Sequence, residues 1–264
     1  MAFATSPARM TERGGLGRAR VITSAVRRTA TVAAKLTKRK KEAGSCLSQA
    51  RLAELTRALD AALSAKEPTT RVLEVVAVIG EAISDLGIRP VVVGGLAVTY
   101  WTQEAYVSLE ADLLLPMTDE VVERLEALGF IARGRHWRIP GTDVELEAPG
   151  DWLSERQLTK SVRLPSGREV LVLSAEEMYL ERLREFIEWG GHSEPFRQML
   201  YLTRATDFDR AKLRARAHAE GFEAALDGIE EIESEIEAVA EGSREFEPSA
   251  LEALAKRLRR ETRG

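Results

Sequence analysis

Two runs of apolar residues with helical spacing follow the first 45 residues of the chain. The first run predicts a short amphipathic helix within residues 46–65, since its leucines recur every three or four positions. These leucines are Leu52, Leu55, Leu59 and Leu63. After a break at residues 67–70, a second helix is predicted, N-capped by Thr70 and ended by Gly87 and Pro90. Its apolar face consists of Val72, Val75, Val76, Ile79 and Ile83.

The middle of the chain alternates short apolar strands with helices. Strands are predicted at residues 90–93, at about 106–115, from Phe130 onward, and at 143–147. The first strand ends in Gly94-Gly95 and leads into a brief helix at 96–101. A second helix of this region is expected to begin after a Thr118 cap and to end at Gly129.

A β-hairpin and a capped helix follow. Residues 162–164 and 169–173 flank the turn at 165–167, whose proline and glycine are typical of a hairpin connection. Ser174 and Glu177 have the spacing of a capping box, which predicts a helix running to about Trp189.

The remainder of the chain, beyond Gly191, has a helical pattern throughout. The last helix is predicted from Pro248 to Arg260. An acidic helix before it carries an apolar stripe, too short for a coiled coil, at Ile229, Ile232, Ile236 and Val239. Together these elements predict an α/β (α+β) fold, in which helices flank a mixed sheet and residues 191–264 form a helical C-terminal region.

Charge is distributed unevenly along the chain. Residues 1–41 contain eleven Lys or Arg and one acid, Glu12, whereas the remaining 27 basic and 41 acidic residues carry a net charge of −14. Residues 1–45 are therefore predicted to be a disordered basic tail. A nucleic-acid arm and a targeting peptide are two interpretations of this tail. We favour a solvated tail, or a start assigned too far upstream, with Met10 as another possible initiator.

Composition excludes several classes of protein. No apolar run reaches the roughly 18–20 residues that cross a bilayer, so no membrane span is expected. A single cysteine, Cys46, fits a reducing compartment, and a cytoplasmic location is expected. Three scattered histidines and one cysteine argue against a dedicated zinc site.

Four carboxylates carry the candidate chemistry. Glu110 and Asp112 lie two residues apart, as do Glu145 and Glu147, so each pair shares one face of a strand. If the two strands are neighbours, Glu110, Asp112 and Glu145 or Glu147 would gather around divalent metal ions. Mg²⁺ is the expected ion, because it prefers oxygen ligands of this kind. The backbone at Gly94-Gly95 would hold a phosphate, since no side chain blocks its approach.

A family resemblance adds to this pattern. The run VVVGGLAVTYW at 91–101, followed by YVSLEADLLLP at 106–116, resembles the nucleotidyltransferase superfamily related to DNA polymerase beta. Within it, the chain is similar to bacterial small nucleotidyltransferase-like proteins, including toxins of abortive-infection and type IV toxin–antitoxin systems. The resemblance covers about residues 70–190 and implies a nucleotidyltransferase-type sheet, placing such a domain with its N-terminal helices at 46–190.

Two positions depart from the family pattern. The first metal position, usually Asp, is Glu110 here, and Leu96 follows the glycines where many active members have Ser or Thr. Glu110 moves its oxygens by roughly one C–C bond, which catalytic sites tolerate poorly. In the alternative without a site, Glu110, Glu145 and Glu147 are solvent-facing residues of half-exposed strands.

Three functions remain open from the sequence. The first is a metal-dependent nucleotidyltransferase that moves NMP from NTP to an unknown acceptor, such as RNA or protein. The second is an inactive member of the fold that binds or regulates a partner, as in a toxin–antitoxin system. The third is nucleic-acid binding through the basic tail. Arg135-His136-Trp137 is interpreted as a surface cluster at a strand end or a nucleobase contact, and Arg182 and Arg184 as a solvated helix face.

Overall fold

The computed structural model describes residues 47–108, 110–150, 158–205, 209–232 and 248–262. The predicted basic tail, as well as Ile236 and Val239 of the predicted stripe, lies outside these residues. All described residues belong to one unit, Leu47–Gly264. Within them the chain forms a seven-stranded mixed sheet and nine α-helices, which confirms the predicted α+β class.

Two helices precede the sheet, α1 (Gln49–Leu63) and α2 (Pro68–Ile83). The predicted Thr70 cap of the second helix is wrong, because Glu67 caps it. The Glu67 carboxylate accepts two of the free N–H groups at the start of α2, including that of Thr70. Pro68 occupies the first helical position, where a missing N–H costs nothing.

The strands of the sheet are β1 (Val91–Val93), β2 (Glu110–Leu114), β3 (Ile131–Arg133), β4 (His136–Arg138), β5 (Glu145–Gly150), β6 (Thr159–Arg163) and β7 (Glu169–Leu173). Their order in space is β3-β4-β5-β2-β1-β7-β6. The pairs β1–β7 and β2–β5 are parallel, while the four other pairs are antiparallel. The sheet is therefore mixed, as the sequence predicts.

Three strand predictions need correction. The second strand begins at Glu110 rather than near Tyr106, because the chain turns after the preceding helix, where the Tyr106 N–H donates to Thr102 Oγ1. The acidic strand is Glu145–Gly150 rather than 143–147. Strand β4 was not predicted at all, since three residues are too few to show a period.

The remaining helices are α3 (Gly94–Trp101), α4 (Asp119–Ala127), α5 (Ala175–Glu188), α6 (Ser193–Ala205), α7 (Arg210–Glu220), α8 (Glu223–Glu230) and α9 (Pro248–Glu261). Thr118 caps α4 as predicted, by accepting the Val121 N–H. Helix α8 ends at Glu230, so Ile232 of the predicted stripe lies beyond a helix end. No helix in the described part of the chain is both long and apolar enough to span a membrane.

The predicted capping box at α5 is half formed. Ser174 Oγ accepts the Glu177 N–H at 3.3 Å, but the Glu177 carboxylate does not return to the backbone. It instead accepts two hydrogen bonds from the guanidinium of Arg216, and both side chains are buried. This ion pair holds α7 against α5, because separating the helices would leave both buried charges without a partner.

Helix α2 packs against β7 and closes one side of the core. Its residues Val75, Val76 and Ile79 are completely buried. Beside them the carboxylate of Glu74, also buried, accepts the N–H (2.9 Å) and the hydroxyl (2.6 Å) of Ser166 in the β6–β7 turn. The turn is thereby fixed to a helix that lies 92 residues earlier in the chain.

Candidate active site

The four predicted carboxylates lie on two neighbouring parallel strands. Strand β2 pairs with β5 so that Glu110 is opposite Glu145 and Asp112 is opposite Glu147. The intervening residues, such as Ala111, point into the core and are buried. Since side chains alternate between the faces of a strand, all four carboxylates share the other face of the sheet. The adjacency predicted for these two strands is confirmed.

Strand β4 adds a histidine to this face. His136 lies opposite Glu147 in the antiparallel β4–β5 pair. Its Nδ1 is 3.3 Å from Glu110 Oε1, 3.4 Å from Glu145 Oε1 and 3.9 Å from Glu147 Oε2. This nitrogen is buried and makes no hydrogen bond to any described residue. One ligand atom each from Glu110, His136 and Glu145 lie within 4.8 Å of one another, which is close enough for a shared cation.

Glu147 has a different partner. Glu147 is only 8% exposed, and its Oε1 forms an ion pair with Arg135 Nε at 2.8 Å. Arg135 itself is 71% exposed and belongs to the turn between β3 and β4. The guanidinium therefore compensates the most buried carboxylate of the site from the solvent side.

Asp112 contacts the two glycines that end β1. Its Oδ2 accepts the backbone N–H of Gly95 at 3.1 Å. A side chain on Gly94, whose φ is +58°, would place its Cβ 2.6 Å from Asp112 Cγ. The glycines thus allow the carboxylate to approach the first turn of α3. The Gly95 N–H that was predicted to hold a phosphate is engaged by this carboxylate.

The environment of Asp112 changes its acidity. Burial raises the pKa of its carboxyl from 3.8 to about 6, and the negative charges of Glu110 and Glu147 add to this effect. The Gly95 hydrogen bond and the positive charge of Arg182 act in the opposite direction without cancelling it. Asp112 therefore changes protonation state close to neutral pH, unlike an ordinary surface aspartate.

Arg182 was predicted to lie on a solvated helix face, and that prediction is wrong. The residue is only 8% exposed, and it donates to Gln198 Oε1 of α6 at 3.2 Å. Gln198 in turn donates to the Tyr106 hydroxyl at 2.9 Å. Glu185 is 2.9 Å from the same guanidinium, and burial raises the pKa of its carboxyl. Buried and half-buried polar groups therefore connect α6 to Arg182, whose positive charge acts on Asp112.

The structure brings together only part of the predicted ligand set. Glu110 and Glu145 converge, but His136 takes the third position that was expected for Asp112. The sequence does not reveal this candidate ligand, because His136 lies on the unpredicted strand β4. The one local indication is the alternation of polar and apolar residues at 136–139, just before the acidic strand, and it is too short to establish a period.

Comparison with known proteins identifies no relative. No family model, curated protein or solved structure matches the chain.

Proposed function

We propose that the chain is a metal-dependent nucleotidyltransferase, which transfers NMP from an NTP to an acceptor hydroxyl. The observation that supports it best is the register of β2 and β5, because it gathers Glu110, Glu145 and Asp112 beside the Gly94-Gly95 turn. The described sheet has the order of strand, glycine turn, helix and acidic strands that the family resemblance leads us to expect, while His136 rather than Asp112 completes the converging set.

The residues present fit a divalent cation. Glu110, Glu145 and His136 would hold it, since His136 Nδ1 is a buried acceptor or donor without a hydrogen-bond partner. Two carboxylates suit Mg²⁺ or Mn²⁺, and the added imidazole nitrogen favours a transition-metal ion such as Mn²⁺ over Mg²⁺. When bound there, such an ion would lower the pKa of an attacking hydroxyl and would neutralise the leaving pyrophosphate.

Asp112 is the residue best placed to move a proton. In the site without an ion its pKa is about 6, so the carboxylate is mostly ionised at neutral pH and can accept the proton of an acceptor hydroxyl. Its Gly95 hydrogen bond fixes one carboxylate oxygen and thus orients the other. The N-terminus of α3 would attract the NTP phosphates, because the helix dipole favours negative charge there.

The alternative is an inactive nucleotidyltransferase fold that binds or regulates a partner, as in toxin–antitoxin systems. One observation favours it: the Gly95 N–H is occupied by Asp112 rather than free for a phosphate. The replacement of the usual Asp by Glu110 points the same way.

The two functions are separated by one experiment. Wild-type protein and the Asp112→Asn variant are incubated with each α-labelled NTP, cellular RNA and cellular protein, with Mg²⁺, with Mn²⁺ or with EDTA. Metal-dependent labelling of either fraction by wild type alone supports the enzyme. If neither labelling nor metal-dependent NTP binding is found, the alternative stands, namely an inactive fold that binds or regulates a partner.

A further inference from the structure

The hairpin of β3 and β4 lies beside the carboxylates and presents arginines on the same face. Arg133 is opposite His136 in the β3–β4 pair, and Arg138 is opposite Glu145 in the β4–β5 pair. Residues directly opposite each other on antiparallel strands point to the same side of a sheet. Arg133 and Arg138 therefore share the face that carries the candidate active site.

Both arginines are available to a ligand. Each is exposed, and neither forms a salt bridge or a hydrogen bond through its side chain within the described residues. Arg135 lies between them in the turn, and its guanidinium is mostly exposed although it contacts Glu147. Ile131, opposite Arg138, is 55% exposed and adds an apolar side chain to the same surface. We call Ile131, Arg133, Arg135 and Arg138 the arginine hairpin.

The chemistry of this surface suits phosphate groups. A guanidinium is always charged and presents paired N–H donors that match phosphate oxygens. The site carboxylates alone would repel a polyanion. Arginines at their outer side reduce this repulsion and attract an anionic substrate. The exposed Ile131 beside these cations offers an apolar contact to a base.

Strand spacing sets the reach of such a ligand. Neighbouring strands lie about 4.8 Å apart, so the backbone of Arg133 is roughly 10 Å from β5 and roughly 14 Å from β2. A stacked strand of nucleic acid rises about 3.4 Å per nucleotide, and three or four nucleotides therefore cover this distance.

We propose that the arginine hairpin binds the phosphodiester backbone of a nucleic-acid acceptor, whose terminal hydroxyl reaches Glu110 and Asp112. The role as acceptor rests on the proposed nucleotidyltransferase function, whereas binding of the backbone does not. RNA and DNA share this chemistry and are distinguished by experiment.

The test measures binding by the full-length chain without metal or NTP. Fluorescein-labelled single-stranded RNA and DNA twelve-mers of equal sequence are titrated by fluorescence anisotropy at 0.1 M KCl and across 50–200 mM salt. The variant is Arg133→Ser/Arg138→Ser. The control, Arg57→Ser/Arg163→Ser, removes two charges from exposed arginines of α1 and of the opposite edge strand β6. The N-terminal basic residues are common to all three proteins.

The hairpin variant should bind about fivefold more weakly per lost phosphate contact at 0.1 M salt, or about 25-fold in total, with a salt slope smaller by about 1.4. The control should stay within about twofold of wild type. Whichever of the two twelve-mers binds wild type more tightly identifies the ligand as RNA or DNA.

Equal losses in both double variants would assign binding to net charge and overturn the proposal, as would no loss in either. Displacement of the oligonucleotide by polyglutamate of equal charge would point to an acidic protein partner and also overturn it. Failure of NTP transfer is a separate result. If the chain does not transfer NMP, and only the hairpin variant loses oligonucleotide binding, the nucleic-acid-binding surface stands and the nucleotidyltransferase function fails.

Discussion

Asp112 Oδ2 accepts the backbone N–H of Gly95 at 3.1 Å, which joins the middle of β2 to the first turn of α3. The contact holds an acidic side chain in a partly desolvated place, next to two further carboxylates. Such an arrangement costs stability, because a charge that has lost hydration and faces like charges is higher in free energy than one in water. Retained costs of this kind are typical of functional sites.

Asp112→Asn should abolish nucleotide transfer and yet raise the free energy of unfolding at pH 7.5. The asparagine oxygen can still accept the Gly95 N–H, while the desolvated charge is gone. We expect a gain of roughly 1 kcal/mol after allowance for solvent screening. Urea denaturation of both proteins at pH 7.5 measures it.

The pH dependence of that gain provides its control. Because folding raises the pKa of Asp112 from 3.8 to about 6, ionisation destabilises the fold as pH rises through this window. Below about pH 3.8 the carboxyl is protonated in both states, so the advantage of Asn should shrink. An advantage that is equally large at pH 3.5 and pH 7.5 would contradict the assigned cause.

His136→Ala should weaken binding of Mn²⁺ at least about tenfold, because it removes one of three converging ligands. Isothermal titration calorimetry of the full chain with MnCl₂ measures the affinity. The matched control is His192→Ala, since His192 is exposed and lies in the loop after α5. Equal affinities in wild type and in the His136 variant would remove this histidine from the ligand set.

Gly95→Ala should destabilise the protein by about 1–3 kcal/mol. An added Cβ would lie 2.7 Å from Ser108 Oγ and 2.8 Å from Ser108 Cβ, so the loop before β2 must shift. Gly80→Ala in α2 is the control, because its Cβ would meet Pro90 only at ordinary distances of 3.5 Å and more. That variant should be up to about 1 kcal/mol more stable than wild type.

A second-site change makes the glycine prediction sharper. Ser108→Gly removes both atoms that the new Cβ would meet, and should therefore recover much of the stability lost in Gly95→Ala. Thermal denaturation of the two single variants and the double variant measures the coupling. Strictly additive effects would show that Ser108 is not the obstacle.

Arg216→Ala should destabilise the fold by about 3–5 kcal/mol, since it leaves the buried carboxylate of Glu177 without its partner. Arg214, two residues away, pairs with Asp227 at 2.7 Å on the surface. Arg214→Ala is therefore expected to cost much less stability than Arg216→Ala, because a solvent-exposed ion pair contributes little. Chemical denaturation distinguishes the two, and similar losses would mean that burial of the Glu177 pair has little effect.

The sequence predicted those parts of the site that depend on local alternation. Glu110 with Asp112 and Glu145 with Glu147 are each two residues apart, and period-two spacing alone places each pair on one face. His136 and Arg182 could not be assigned in this way. The role of His136 depends on β4 pairing with β5, and the burial of Arg182 depends on Gln198 from another helix. Both contacts are tertiary and leave no periodic signal at the residue itself.

The same limit explains the cap errors. Local spacing gave Thr70 and the Ser174–Glu177 box reasonable capping chemistry, but side chains nearby competed for it. Glu67 reaches two N–H groups at once, and Arg216 draws the Glu177 carboxylate away from the backbone. A local motif is kept only where no stronger charged partner lies within reach.

Strand β1 lies between β2, which follows it closely in the chain, and β7, which follows about 80 residues later. The buried Glu74 carboxylate likewise finds its Ser166 partner only in the β6–β7 turn. While the chain is being synthesised, a segment that has reached Gly150 therefore has a central strand with one free edge and a buried acid without its donors. Cutting the chain between Gly150 and Leu158 would divide the sheet into two fragments that must associate before either is complete. The N-terminal fragment carries all the site carboxylates, yet it needs the C-terminal fragment to supply β7 beside β1 and the Ser166 donors to Glu74.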